Sequence, residues 1–429
     1  MAKLDKAQAQ AIIRALRSGT VPSSGLEHFA VGLEKQIGAI REQLEAVSQG
    51  SSDFKFIRGE YGAGKTFLTS LACAEAQDRN FVVSKVVISN ADTPLYKLEE
   101  VYRKVCQGIE VSGGRKGLKA ILDRWLYDVE EQVINTDGID DEDPRFLDAV
   151  DRCVDNRLHL IGEEAGRFAA CIKAYHRLQF QDDFINSQGI LDWICGDSKV
   201  AQGVKKLAGI KGDISNADVY AFLRGLLELF RQTGHKGFLI VLDEVETIVR
   251  QRSTERLKGL EILRQLVDAV SNNAFKGLYL LVTGTPEFYD GEKGVRELTP
   301  LHERIKVDFK DHGMDNLRQP QVRLGAFDVT RLKLVAEKIV EIYPSDHQDL
   351  IATKVNGGFL QDLISQFSLA FRGKIEVTPR LFLRELVDVL DLVDQHDAYD
   401  PKRDHTLNLA HHTGVLREEE TAVLVPVPS

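Results

Sequence analysis

Residues 53–67 read DFKFIRGEYGAGKTF, and the order of residue types in that stretch decides the fold. A short apolar run ends at Ile57. Three glycines, a lysine and a threonine follow, and then FLTSLACAEA (67–76) carries the spacing of an amphipathic helix. Strand, glycine loop and helix in that order, with Gly59-x4-Gly64-Lys65-Thr66, is the phosphate-binding P-loop pattern in its expected setting. Glycine lets the backbone turn tightly, so that successive N–H groups face inward. The following helix adds its unpaired N-terminal donors and the positive end of its dipole. The expected nucleotide-binding stretch is therefore Gly59, Glu60, Tyr61, Gly62, Ala63, Gly64, Lys65, Thr66 and Phe67. Lys65 is expected on the β- and γ-phosphates and the Thr66 hydroxyl on Mg²⁺.

A nucleotide site also needs a carboxylate for the metal and, for hydrolysis, a group that orients water. FLIVLDEVE (238–246) offers both. Its five apolar residues predict a strand buried on both faces, with Asp243 at the carboxyl end, where ligands sit in open parallel sheets. Asp243 is expected to act on Mg²⁺ and Glu244 to orient the attacking water. A second buried strand, in GLYLLVTGT (277–285), ends near Thr283 and Thr285. Either could hold the same water, and the sequence does not choose between them. Arg304, in LTPLHERIKV (298–307), could stabilise a transferring phosphoryl group from a neighbouring subunit. Arg380 follows Pro379 at the start of a late helix, where it could reach the γ-phosphate. Each arginine also fits an ordinary surface ion pair.

The remaining pattern sets the organisation. At 429 residues the chain exceeds a single hydrophobic core, so two or three domains are expected. Helices are expected near 7–16 and 31–47, and strands at 54–58 and 80–89. From about 94 to 234 the apolar spacing is helical throughout, which reads as a helical insertion within an α/β core. Helices again fill 331–343, 359–371 and 379–395. The expected division is an N-terminal helical segment (1–50), a P-loop core (51–310), a helical lid (311–400) and a loose tail (401–429).

Composition narrows the class. Hydrophobic content of 43% and charged content of 28% suit a globular protein, and no run approaches the roughly 18 apolar residues of a membrane span. Five cysteines without a C-x-x-C pair read as thiols in a reducing cytoplasm rather than as metal ligands. A net charge of −10 argues against a protein that coats nucleic acid with its whole surface. Two basic stretches, GGRKGLK (113–119) and GVKKLAGIKG (203–212), read as solvated loops or as local contacts for DNA.

In combination these motifs resemble the AAA+ division of P-loop ATPases. The resemblance makes Glu244 a Walker B glutamate, Thr283 or Thr285 a sensor-1 residue, Arg304 an arginine finger and Arg380 a sensor-2 arginine. FAVGLEKQI (29–37) is similar to the adenine-contacting segment of the origin-recognition-like branch, which implicates Val31 and Gly32. The gap between Lys65 and Asp243 is much longer than in a minimal AAA+ core, a departure that the insertion explains. Over residues 20 to 395 the chain is similar to the BrxD family of ATP-binding proteins from phage-exclusion (BREX) operons. The stretches VPSSGLEHFAVGLEKQI, FIRGEYGAGKTFL, IVLDEVE, LLVTGTPEFYD, LHERI and VTPRLFLREL carry that similarity. Origin-recognition relatives carry a C-terminal winged helix that grips DNA, and too little sequence follows Gln395 for one to be expected.

The resemblance implies an ATP- and Mg²⁺-dependent motor or switch in phage defence, assembling with itself or with other defence proteins. A nucleotide-dependent scaffold with little turnover is the alternative. A P-loop kinase of a small substrate fits poorly with the Asp-Glu pair and the late helical lid.

Overall fold

The computed structural model describes residues 4–159, 166–309, 314–371 and 379–407. The chain divides into two compact units, one of Met1–Ala39, Ile57–Ala74 and Phe309–Ser429, the other of Ile40–Phe56 and Glu75–Asp308. It changes unit inside the strand that leads into the glycine loop.

The described residues form seven strands: β1 (Asp53–Arg58), β2 (Val82–Val87), β3 (Glu110–Val111), β4 (Arg115–Lys116), β5 (Phe238–Asp243), β6 (Leu278–Gly284) and β7 (Gln321–Arg323). In the second unit the order is β4-β3-β2-β5-β6-β1. β2, β5 and β6 run parallel, with Val82 opposite Phe238 and Phe238 opposite Leu278. Every residue of β5 and of β6 is buried, as expected of parallel strands covered on both faces. In the first unit β7 lies beside the end of β1, where the Leu324 N–H donates to the Arg58 carbonyl at 2.7 Å. The α/β class with a parallel sheet is as expected. β1 carries a buried lysine. Lys55 is 1% exposed, and burial pulls its ammonium pKa down, opposed by the charge of Asp53.

Among the described residues the insertion has seven helices between Leu98 and Gln232. Trp125, Phe168, Tyr175, Trp193 and Phe222 form its centre, all fully buried. Tryptophan is tolerated there because each indole finds an acceptor: Trp125 donates to Gln232 at 2.8 Å and Trp193 to the Gly212 carbonyl at 3.2 Å. Ser215 and Asp218 close the last helix of the group, Asn216–Gln232, with a capping box.

Two expectations for this region need correction. The stretch 94–234 is not helical throughout, because β3 and β4 form a hairpin that turns at Gly113–Gly114 and pairs antiparallel with β2 through Glu110 and Val83. The basic stretch 203–212 is not a solvated loop. It begins in the helix Gln202–Leu207, and Lys205 is buried and paired with Asp213 at 2.5 Å.

In the first unit, helix Lys6–Arg17 packs on Pro379–Gln395, where Arg17 holds Asp391 in a two-pronged ion pair with both contacts at 2.7 Å. Asp5 and Gln8 close the start of the first of these helices with a capping box. Val329–Ile342, capped by Asp328, packs on Gly357–Ala370, capped by Asn356. A short helix, Pro401–Asp404, follows. Residues 408–429 of the expected tail, and Val377 and Thr378 of the quoted VTPRLFLREL, lie outside the described residues.

No described helix is long and apolar enough to cross a membrane. All five cysteines are free thiols, with Cys106, Cys153 and Cys171 buried and Cys73 and Cys195 partly so. Burial pushes the Cys171 thiol up to about 12, which keeps it unreactive.

Candidate nucleotide site

In the first unit the loop leaves β1 at Gly59 and enters the helix Lys65–Asp78. Gly62 and Gly64 have φ of +80° and +90°, backbone that side chains rarely adopt. The space that a Cβ on Gly64 would take is empty to 4 Å, whereas one on Gly59 would sit 3.1 Å from Ala63 Cβ and 3.3 Å from Leu324 Cβ. The first glycine is thus closely packed, and the last borders open space. Lys65 folds back over its own loop. Its ammonium donates to the carbonyls of Gly59 at 2.8 Å and Glu60 at 3.2 Å, 5.2 Å from the centre of the Tyr61 ring. It is 8% exposed, a buried cation held on the carbonyls of its own loop. Phosphate oxygens are the same kind of acceptor as the carbonyls it now holds. Thr66 is exposed at the start of the helix. Phe67 packs edge-on against Phe29, with centroids 5.2 Å apart, and so ties the expected base-contacting segment to the loop. Within that segment Val31 is half-buried and Gly32 has φ of +70°. Arg380 lies against the turn at Gly19, where a Cβ would be 3.7 Å from its side chain.

In the second unit Asp243 ends β5 at 2% exposure. One carboxylate oxygen accepts from the Thr283 hydroxyl, and the other faces the Lys85 ammonium at 3.2 Å. Thr283, on the neighbouring parallel strand β6, also accepts from the Glu244 N–H at 3.1 Å. One hydroxyl therefore bridges both members of the Asp-Glu pair. Glu244 adopts the left-handed conformation, φ 60° and ψ 39°, at a cost of roughly 1–3 kcal/mol for a non-glycine residue. Among the described residues no hydrogen bond or ion pair engages its carboxylate. Thr285 is buried too, but it lies beyond the strand, where its carbonyl accepts from the Phe288 N–H at 3.0 Å. The structure brings together Asp243, Glu244 and Thr283 and leaves Thr285 apart. Arg304 is held within its own chain by the Asp268 carboxylate and by the Pro300 carbonyl at 2.7 Å.

Lys85 and Arg331 were not singled out in the sequence. Lys85 carries a visible signal, as the one charge inside the apolar run VVSKVVI. Arg331 carries none.

Hard oxygen donors, the Thr66 hydroxyl and the Asp243 carboxylate, have the chemistry that Mg²⁺ takes. The buried Lys65 ammonium, on a glycine loop that leads into a helix N-terminus, has the chemistry that a polyphosphate takes.

No curated protein matches the sequence. Among solved structures, Drosophila ORC bound to DNA gives a TM-score of 0.39 at 12% identity, over 97% of this chain and 72% of that one. The Aeropyrum pernix ORC2 protein in its ADPNP–ADP complexes gives 0.40 at 12% identity, over 90% of this chain and 70% of that one. A family described as "BREX system ATP-binding protein BrxC/D" matches residues 4–408, nearly the whole sequence. The glycine loop, the Asp-Glu strand end and that match together place the chain in the BrxC/D family of BREX system ATP-binding proteins.

Proposed function

We propose that this chain binds ATP through residues 59–67 and hydrolyses it, as an AAA+-type motor or switch of a BREX defence system. Lys65 holds the β- and γ-phosphates, Thr66 and Asp243 hold Mg²⁺, and Glu244 orients the attacking water with Thr283 beside it. Magnesium, when bound, supplies charge neutralisation on the phosphate oxygens. The observation that carries this reading is the Thr283 hydroxyl joining the Asp243 carboxylate to the Glu244 backbone. Among the described residues nothing engages the Glu244 carboxylate, which stands on a strained backbone, and strain of this kind clusters at sites of chemistry. Arg380 is proposed for the γ-phosphate, and Val31 with Gly32 for the base. The free thiols fit a cytoplasmic setting.

The partners proposed are further copies of the chain or other defence proteins, and DNA through the exposed Arg115 and Lys116 of the β3–β4 hairpin. A second reading, a nucleotide-dependent scaffold with little turnover, is favoured by Asp268, which holds Arg304 inside its own chain. Calorimetric titration and steady-state turnover of the wild type and Lys65→Ala test the proposal. Loss of the ammonium should weaken ATP binding by roughly tenfold to a hundredfold, the range for a hydrogen bond to a charged group. Unchanged affinity would refute the loop assignment. ATP binding without turnover in the wild type would select the scaffold.

A further inference from the structure

The first unit holds an ion–dipole contact between two segments far apart in sequence. Arg331, in the first turn of helix Val329–Ile342, donates from Nη2 to the Gly32 carbonyl at 2.9 Å and from Nη1 to the Gly325 carbonyl at 3.4 Å. Its position is fixed locally, because Asp328 caps the helix by accepting the Arg331 N–H at 2.7 Å. Gly32 is shaped to receive it. A Cβ there would lie 2.7 Å from Arg331 Nε, and φ of +70° is strained for any side chain. The Gly32 N–H is also engaged, donating to Glu34 at 3.1 Å. Both polar groups of the Gly32 backbone are thus occupied within the protein, which leaves Val31 to face a base. On its other side the same segment is anchored to the glycine loop by Phe29 and Phe67. Leu324, beside Gly325, packs 3.3 Å from the place a Gly59 Cβ would take.

We infer that Arg331 is a positioning residue for the nucleotide's base: it sets the Val31–Gly32 segment and couples it to the helix Val329–Ile342. The inference rests on the reading of Val31 and Gly32 as the base-contacting segment. A charge-assisted bond from a planar fork holds the carbonyl in one direction, so the cost of ordering the segment is met before ligand arrives. By the same linkage, base binding favours the helix position in which Arg331 reaches Gly32.

The test titrates the full chain with ATP, with ADP and with inorganic tripolyphosphate, which has phosphates and no base. Arg331→Ala should weaken ATP and ADP by about tenfold, the worth of one charged hydrogen bond, and leave tripolyphosphate unchanged. Arg331→Lys, which keeps the charge but not the fork, should restore part of the loss. Val31→Trp, which fills the space beside the base, should also weaken ATP and not tripolyphosphate. Equal losses for ATP and tripolyphosphate in Arg331→Ala would overturn the inference, since the residue would then merely support the fold. A loss in Val31→Trp with none in Arg331→Ala would overturn it too, while the base reading stood. If neither variant changes ATP affinity, the base reading fails and the inference with it. Should Arg331→Ala fail to fold, Arg331→Gln, which retains a donor for the Gly32 carbonyl without the charge, decides between the same outcomes.

Discussion

Thr283 shows what a single hydroxyl can do at the end of a parallel strand. It donates to Asp243 and accepts from the Glu244 N–H, so the pair that the sequence displays as adjacent letters is held as one unit by a third residue. The sequence made the Asp-Glu pair legible, because an apolar strand that ends in two acids has few structural reasons to do so. It did not distinguish Thr283 from Thr285, two residues apart, since only register with β5 decides which one meets Asp243. Thr283→Val keeps the shape but removes the bridge. The loss of a partner for the buried carboxylate should destabilise the fold by about 1–3 kcal/mol. Turnover should fall by at least about tenfold if that bridge aligns the water, each tenfold being 1.36 kcal/mol in the barrier. Thr285→Val should leave turnover near the wild-type value. Thermal melts and steady-state rates of the two variants check this, and equal rates would remove Thr283 from the site.

Among elements, long periodic helices and fully apolar strands were readable from spacing, because burial on one stripe or on both faces leaves a pattern in the letters. The hairpin of β3 and β4 was not. Two-residue strands carry no period, and they exist because the edge of β2 offers Glu110 a partner. β7, three residues long, escaped for the same reason. Lys205, within a stretch expected to be solvated, is buried instead, because a buried lysine looks, as a letter, like a solvated one. The hairpin is also where the proposed DNA contact is tested. Reversing both exposed charges, with Arg115→Glu and Lys116→Glu together, should leave basal turnover unchanged. It should remove stimulation by double-stranded DNA and flatten the salt dependence of DNA binding, whose slope counts neutralised phosphates. Retention of the wild-type slope would place any DNA contact elsewhere.

For the whole molecule, the family could be read from the motifs, and the match over residues 4–408 establishes it. The assembly could not, because an arginine that serves a neighbour and one that pairs within its own chain are the same letter. Asp268 holds Arg304 in the isolated chain, so delivery to another subunit requires that pair to open. Arg304→Ala should keep ATP binding and lose hydrolysis. Mixing it with Lys65→Ala chains should restore some activity, at those mixed interfaces where the intact loop of one chain meets the intact arginine of the other. A specific rate independent of protein concentration, in a chain that stays monomeric by light scattering with ATP and Mg²⁺, would contradict a role in trans. Hydrolysis at the Asp-Glu strand end is the central claim, and Glu244→Gln tests it most directly, because it keeps the side chain's shape while removing its basicity. Measured side by side with wild type, ATP affinity should be preserved and kcat should fall by roughly 10²-fold or more. An unchanged kcat would show that Glu244 does not orient the attacking water.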